Sequence, residues 1–239
     1  MLITGLLNNH ILSSFFVVAG TIALFQLIAM LQNKLNAIWL QPMLITILVI
    51  MAILLWQDIS FDSYFANSWL LNALLEPAVV ALGFPLYQHL ETIKKQWKSI
   101  ILVLFIGALI AIISSFVITM LLIGDYTIAV ALSLKSVTTP IAIAIAGQLD
   151  GNTAITAFAI ILAGFFGALV GPPWLRFIKV KSPKAQGLAI GAASHAIGTA
   201  TVSNISYEHA AYSSLALIFS AVITAFISPF IISFLANLL

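Results

Sequence analysis

Eight continuous apolar runs occupy residues 11–31, 40–56, 68–90, 100–123, 127–147, 153–173, 187–206 and 209–238. In helical form about 20 apolar residues cross the ~30 Å hydrocarbon layer of a bilayer, so runs of this length are candidate membrane segments. Only helices and closed barrels satisfy every backbone polar group in lipid, and a barrel strand would alternate apolar and polar residues with a period of two. These runs are unbroken. The predicted fold class is therefore all-α: a polytopic integral membrane helical bundle of about seven or eight membrane segments, several of them interrupted or re-entrant. The polar connectors are too short to divide domains, so a single transmembrane domain over residues 1–239 is expected. With 62% of residues hydrophobic and 7% charged, against about 25% charged in soluble domains, a water-soluble fold is excluded. A net charge of +2 resting on so few groups gives no reason to expect nucleic acid, and the absence of cysteine excludes disulfides, thiol nucleophiles and cysteine-ligated zinc. No basic residue precedes Lys34 and no clear small-residue cleavage site follows, so the amino terminus is expected to stay as the first helix.

Basic residues concentrate in cytoplasmic loops. Two clusters stand out, Lys94, Lys95 and Lys98, then Arg176, Lys179, Lys181 and Lys184, with Lys34 a weaker signal. Three apolar runs lie between the clusters, and an odd number of crossings would put them on opposite sides. One run is therefore expected not to cross. The run 127–147 is the candidate, because it carries Lys135 in its middle and a helix-breaking Ser136-Val137-Thr138-Thr139-Pro140 sequence. On this reading Asp58, Asp62, Asp125, Asp150 and Glu208 lie outside, as does the amino terminus, and the carboxyl terminus lies inside.

An intramembrane lysine costs about 2.5–3.5 kcal/mol on the translocon scale, and such residues mark function by default. Pro140 suits the first position of a new helix with Thr139 as its N-cap. The free N–H groups of that half-helix would sit near the Lys135 ammonium and the hydroxyls of Ser136, Thr138 and Thr139, which makes an anion pocket. The alternative is that Lys135 pairs with Glu76 or snorkels, serving packing only. A second cluster, Gly187 to Thr201, combines small residues with Ser194, His195, Gly198 and Thr199 and predicts an interrupted helix around Gly198. His195 is a candidate proton carrier; a structural histidine bonded to a carbonyl is an equal reading. A third candidate is Glu76, a counter-ion or proton carrier, beside the helix-breaking Pro77 and Pro85; a Glu76 near the outer interface with no transport role is at least as good a reading. No catalytic motif, metal-ligand spacing or cofactor-binding sequence is present, so no enzyme activity, metal or cofactor is expected.

Three ordered stretches, Pro77 to Tyr87, Leu134 to Ala142 and Gly187 to Ala200, resemble the LrgB/CidB-like membrane proteins, a family that includes the LrgB-like half of a plastid glycolate/glycerate translocator. The resemblance covers nearly the whole chain. It implies a transporter subunit that moves small monocarboxylates (glycolate, glycerate, pyruvate, lactate) by alternating access. It also implies an oligomer in a bacterial cytoplasmic membrane, paired with a smaller LrgA/CidA-like membrane protein. The family is alternatively described as holin or antiholin-like, a pore or regulator of murein hydrolases and lysis. One departure bears on substrate identity: the family pattern after Gly198-Thr199-Ala200 expects an Arg and then a Glu, where this chain has Thr201 and Asn204.

Overall fold

A computed structural model describes residues 10–35, 42–74, 77, 80, 81 and 83–238, with no strand among them. The chain forms two compact units, residues 1–81 and 82–239. The first contains α1 (His10–Leu35), α2 (Pro42–Trp56), α3 (Phe61–Asn67) and α4 (Trp69–Ala73). Ser60 caps α3 by accepting from the Ser63 N–H at 3.3 Å. Polar side chains tie α1 to α3: the Thr21 hydroxyl lies 3.2 Å from that of Tyr64, and Ser14 donates to the Asn67 side-chain carbonyl at 3.3 Å.

The second unit contains α5 (Gly83–Gln88), α6 (Leu90–Leu122), α7 (Tyr126–Ser133), α8 (Thr139–Gln148), α9 (Thr153–Phe177), α10 (Pro183–Ser203) and α11 (Tyr207–Leu238). Four helices of the described residues are long and apolar enough to cross a membrane: Ser14–Gln32 within α1, then α6, α9 and α11. The surface of α11 shows why the solvent is lipid. Phe226, Phe230 and Phe234, at successive turns, point outward with 72%, 77% and 66% of their area exposed, while Ser213, Ser220, Thr224 and Ser228 face inward. A soluble helix would be turned the other way.

α6 begins well before its apolar run, so Lys94, Lys95 and Lys98 stand on helical turns and not in the expected connector. At 1.5 Å per residue its 33 residues reach about 50 Å, so the basic turns project beyond a ~30 Å apolar layer. The run 68–90, expected as one interrupted segment, is divided into α4 and α5, with Pro77 between them. Pro85 lies in the first turn of α5, where a missing N–H costs no helix bond.

Between α6 and α9 the chain makes a re-entrant hairpin. Asp125 caps α7, accepting from the Ile128 N–H at 3.1 Å and the Thr127 hydroxyl at 2.7 Å, bonds that hold its exposed carboxyl below the usual aspartate range. After the turn at 134–138, α8 runs back until the Asn152 N–H donates to the Thr127 carbonyl at 3.2 Å. A Cβ on Gly151 would stand 2.6 Å from a methyl of Val130. Entry and exit therefore share one end, as the charge parity demands. The cap of α8 is Thr138, with φ −71° and ψ 147°, and not Thr139 as expected. Several N–H groups are free at a helix start, so proline fits the second position as well as the first.

α10 holds a second reversal. His195 adopts φ 40° and ψ −135° inside it, and the helix turns back at that point. Two contacts establish the fold-back. A Cβ on Gly198 would stand 3.1 Å from the Ile190 carbonyl, eight residues earlier, and Ser213 of α11 meets both Gly191 and Thr199. Eight residues of straight helix span about 12 Å, so neither contact exists without the turn. The break lies at His195, three residues before the expected Gly198, and the run 187–206 is not a crossing.

Consequently α6 runs from the Lys94 end to the Asp125 end, and α9 returns to the Arg176 end. The α10 hairpin dips in from that same basic end, and α11 then crosses in parallel with α6. Ile93 clusters with Tyr212 near one end, and Phe116 with Ile232 and Leu235 near the other. Glu208 is thus beside the basic residues, with the Lys184 ammonium 5.6 Å from the Tyr212 ring, and not among the outer carboxylates where counting α10 as a crossing placed it.

Because the native chain has no cysteine, single cysteines test this directly. Lys94→Cys, Lys179→Cys and Glu208→Cys should react with an impermeant maleimide from one side, and Asp125→Cys and Asp150→Cys from the other. Glu208→Cys labelling opposite Lys94→Cys would remove the second hairpin. A packing test complements it. A Cβ at Gly191 would overlap the Ser213 backbone carbonyl, whereas Gly147 has open space. Gly191→Ala should lower stability by about 1–3 kcal/mol, and Gly147→Ala should leave it unchanged or raise it by up to about 1 kcal/mol, read as thermal unfolding in detergent.

Candidate functional site

Lys135 occupies the tip of the first hairpin. It is half-buried between the fully buried Leu134 and Val137, which belong to one apolar cluster with Ile112, Phe116, Ile160 and Ile232. That cluster anchors the tip. Its Nζ donates to the Ser115 hydroxyl on α6. Among the described residues no carboxylate pairs with it; Glu76, expected as a counter-ion, lies outside the described residues. Ser136 is half-buried beside it, as are Thr138 and Thr139, while Pro140 is exposed. Thr138 makes no side-chain cap to α8, and within residues 135–139 the tip carries one lysine, three hydroxyl side chains and the start of a helix. An unpaired cation among donors favours an anion over a neutral ligand.

His195 forms the tip of the second hairpin. Three glycines of α9 admit it: a Cβ on Gly164 would stand 2.7 Å from the imidazole Cε1, and Cβ atoms on Gly167 and Gly171 would overlap Ser194 Oγ and Ile190. The imidazole Nε2 donates to the Ile160 carbonyl at 2.9 Å, which assigns the neutral ring its Nε2–H tautomer and directs the Nδ1 lone pair elsewhere. Such a φ for a residue with a Cβ costs about 1–3 kcal/mol, so the surroundings must hold it. Thr199 does part of this: its hydroxyl donates to the His195 carbonyl at 2.9 Å and lies 2.9 Å from that of Ser213. Gly198 packs on Ser194 and Ile190. Gly198 and Thr199 therefore close the hairpin. Ser194 is fully buried and its hydroxyl has no partner among the described residues.

The two tips both meet Ile160 of α9. Ile160 gives its carbonyl to His195 and its side chain to the cluster that contains Leu134 and Val137. A cavity of about 480 Å³ lies between α6, the first hairpin, α10 and α11, and its wall includes Ala111, Ser133, Ser136, Ala193, Ser220 and Thr224. Ser115, Ser220 and Thr224 escaped the reading of the sequence. The available signal was the spacing of Ser213, Ser220, Thr224 and Ser228, hydroxyls on one face of an apolar run. Thr201 and Asn204, where the family pattern expects Arg and Glu, bond locally to the Ile197 and Ala200 carbonyls at 3.0 and 3.4 Å.

The chain matches the model of the LrgB-like family over residues 21–234. Its relatives include the holin-like protein CidB of Staphylococcus epidermidis, 33% identical across 94% of this chain and 98% of the relative. CidB of Staphylococcus aureus is 31% identical over the same shares, and YxaC of Bacillus subtilis is 32% identical over 89% of this chain and 92% of its own. No solved structure matches significantly. With the family pattern running through both units and relatives aligned almost end to end, this membrane protein belongs to the LrgB-like family.

Proposed function

We propose that this chain is a secondary carrier, or the substrate-binding subunit of one, for small monocarboxylates of the glycolate, glycerate, pyruvate and lactate class. The observation that carries the reading is Lys135, an ammonium held at the tip of a re-entrant hairpin by a hydroxyl and apolar packing, with no carboxylate partner among the described residues. An arriving carboxylate would take the bond now made to Ser115, with Ser136, Thr138, Thr139 and the start of α8 around it. Alternating access has its parts in the two hairpins, which enter from opposite ends and converge on α9, as interrupted helices do in transporters. Of the seven or eight membrane segments expected, α7 with α8 and the two halves of α10 count as re-entrant ones. The basic end is cytoplasmic by the positive-inside rule, in a bacterial cytoplasmic membrane, and the end of α11 then lies outside, the reverse of the sequence expectation. A smaller LrgA/CidA-like protein is the expected partner.

A second reading has its own observation: several relatives are named holin-like. A pore or lysis regulator works by assembly and has no saturable site. Uptake of labelled glycolate, pyruvate and lactate into proteoliposomes, with and without the smaller partner, separates the two.

Lys135→Ala should reduce carboxylate uptake about ten- to a hundredfold, the worth of a charged hydrogen bond at 1.5–3 kcal/mol, with folded yield preserved. Lys135→Arg should also be poor, because the guanidinium is wide and forked. Normal saturable uptake by Lys135→Ala would move the pocket elsewhere. His195→Gln keeps a donor for the Ile160 carbonyl. If His195 carries a coupled proton, this variant loses the pH dependence of uptake that a titrating imidazole gives; an unchanged profile makes His195 a packing residue.

A further inference from the structure

The cavity of about 480 Å³ is a groove apart from Lys135, for neither Lys135 nor Ser115 lines it. It runs between α6 and the first arm of α10 with α11 behind, and Val103 and Gly107 on one wall and Ala185 and Ala189 on the other are exposed, so it opens at the surface. Small side chains keep it open: a Cβ on Gly107 would meet nothing within 4 Å. Among the described residues its lining carries no charged side chain. Of its four hydroxyls, Ser133 donates to the Ala129 carbonyl at 2.6 Å and the Ser220 Oγ is closed off by burial. The groove is therefore largely apolar.

Its depth bears on what fills it. Along α6 the wall runs from Val103 to Ile112, a rise of about 14 Å, close to half of a ~30 Å hydrocarbon layer. Beyond Ile112 the first hairpin takes the space, with Leu134 and Val137 packed against Phe116 and Ile232. A crossing helix of another chain would need a groove through both leaflets, whereas an acyl chain needs one. The basic end supplies the charge. Ala185 of the wall directly follows Lys184, whose ammonium stands 5.6 Å from the Tyr212 ring, and Tyr212 packs with Leu104 and Leu188 of the lining. Trp97 lies seven residues before Leu104 on α6, two turns toward the basic end on the same face, and the Lys98 ammonium is 5.9 Å from its ring. Neither ammonium has an ion-pair partner among the described residues. Two cations resting on aromatic rings thus flank the mouth of an apolar groove one leaflet deep.

We propose that this groove binds an anionic phospholipid of the leaflet at the basic end, with the phosphate between Lys98 and Lys184 and one acyl chain lying along α6 and α10. Basic residues beside a gap between membrane helices recognise anionic headgroups in this way. The end of the chain then meets the first hairpin at Ser133 and Ser136. The site is independent of the carboxylate reading of Lys135.

The full chain, stripped of lipid by detergent exchange, is titrated in micelles with dioleoyl phosphatidylglycerol or dioleoyl phosphatidylcholine, and bound lipid per chain is read by native mass spectrometry. Phosphatidylglycerol should fill a single tight site, and phosphatidylcholine should bind about tenfold or more weakly. Replacing both mouth lysines, Lys98→Gln with Lys184→Gln, should weaken phosphatidylglycerol about twenty-five-fold, or about fivefold per lysine. Lys95→Gln with Lys179→Gln, at the same end but away from the mouth, should change it by less than about twofold. Gly107→Leu and Ala189→Phe fill the groove from its two walls, and each should abolish the tight site, whereas Ile106→Phe on the opposite face of α6 should not. The lysine pairs lie at the surface, so their comparison decides the matter even where a groove variant fails to fold. Equal losses in the two lysine pairs would reduce the effect to diffuse attraction at the basic end and overturn the site. Equal binding of phosphatidylcholine, or a tight site that survives in the folded groove variants, would overturn it as well. Glycerol phosphate binding as tightly as the lipid would show that no acyl chain is held. Loss of a dimer mass in the groove variants, with lipid binding unchanged, would assign the groove to a second copy of the chain.

Discussion

The close approach of α10 to α9 is the constraint on which the second unit depends. A helix broken inside a bilayer frees backbone groups that lipid cannot satisfy, so the break must be buried in protein. Gly164, Gly167 and Gly171 remove three side chains from one face of α9, and Ile190, Ser194 and His195 occupy the space. His195 then reaches the Ile160 carbonyl, and the Thr199 hydroxyl closes the turn from the other side. A methyl group at Gly167 would overlap Ser194 Oγ and Cβ and push the hairpin outward, whereas at Gly171 it would meet only the end of the Ile190 side chain. The first hairpin is held differently, by apolar packing of Leu134 and Val137 with Phe116 and Ile232.

The second unit therefore contains the same arrangement twice in opposite senses. A long helix, α6 or α9, is followed by a hairpin that dips in from the end where that helix stops. Hairpin α7–α8 enters beside Asp125, and the α10 hairpin enters beside Lys184. Both pieces reach Ile160 of α9, one through the His195 imidazole and the other through the apolar cluster of Leu134 and Val137. Lys135 stands at the tip of one hairpin and His195 at the tip of the other, so each hairpin carries an ionisable group to its tip. Movement of either tip would alter what the Lys135 ammonium can reach.

The fold class was legible because unbroken apolar runs have one solution in lipid, and the first hairpin was legible because Lys135 and Pro140 both oppose a plain spanning helix. The second hairpin was legible only as an interruption. Glycine marks where a backbone could turn, but Gly191 and Gly198 serve close approach, and the turn falls on His195, whose φ of 40° with ψ of −135° lies outside the left-handed helical region where non-glycine residues at positive φ are mostly found. The reversal at that turn, in place of an interrupted crossing, changed the crossing count and with it the side of Glu208. No repeat was visible in the sequence because the two hairpins break by different means, one through Ser-Val-Thr-Thr-Pro and one through a strained histidine between small residues. Ser220 and Thr224 were hidden for another reason: a hydroxyl in an apolar helix is ordinarily silent, bonded to its own backbone, and only the folded chain reveals that Ser220 is not.

The central claim is that one ammonium at the tip of a hairpin binds a carboxylate in a site open to one side at a time. Counterflow measures this most directly: proteoliposomes loaded with unlabelled glycolate are diluted into a trace of labelled glycolate. A carrier predicts transient accumulation of label above its equilibrium level, saturation with external acid, and loss of both in Lys135→Ala. Entry that rises linearly with concentration, shows no overshoot and is indifferent to Lys135 would contradict the account and identify a pore.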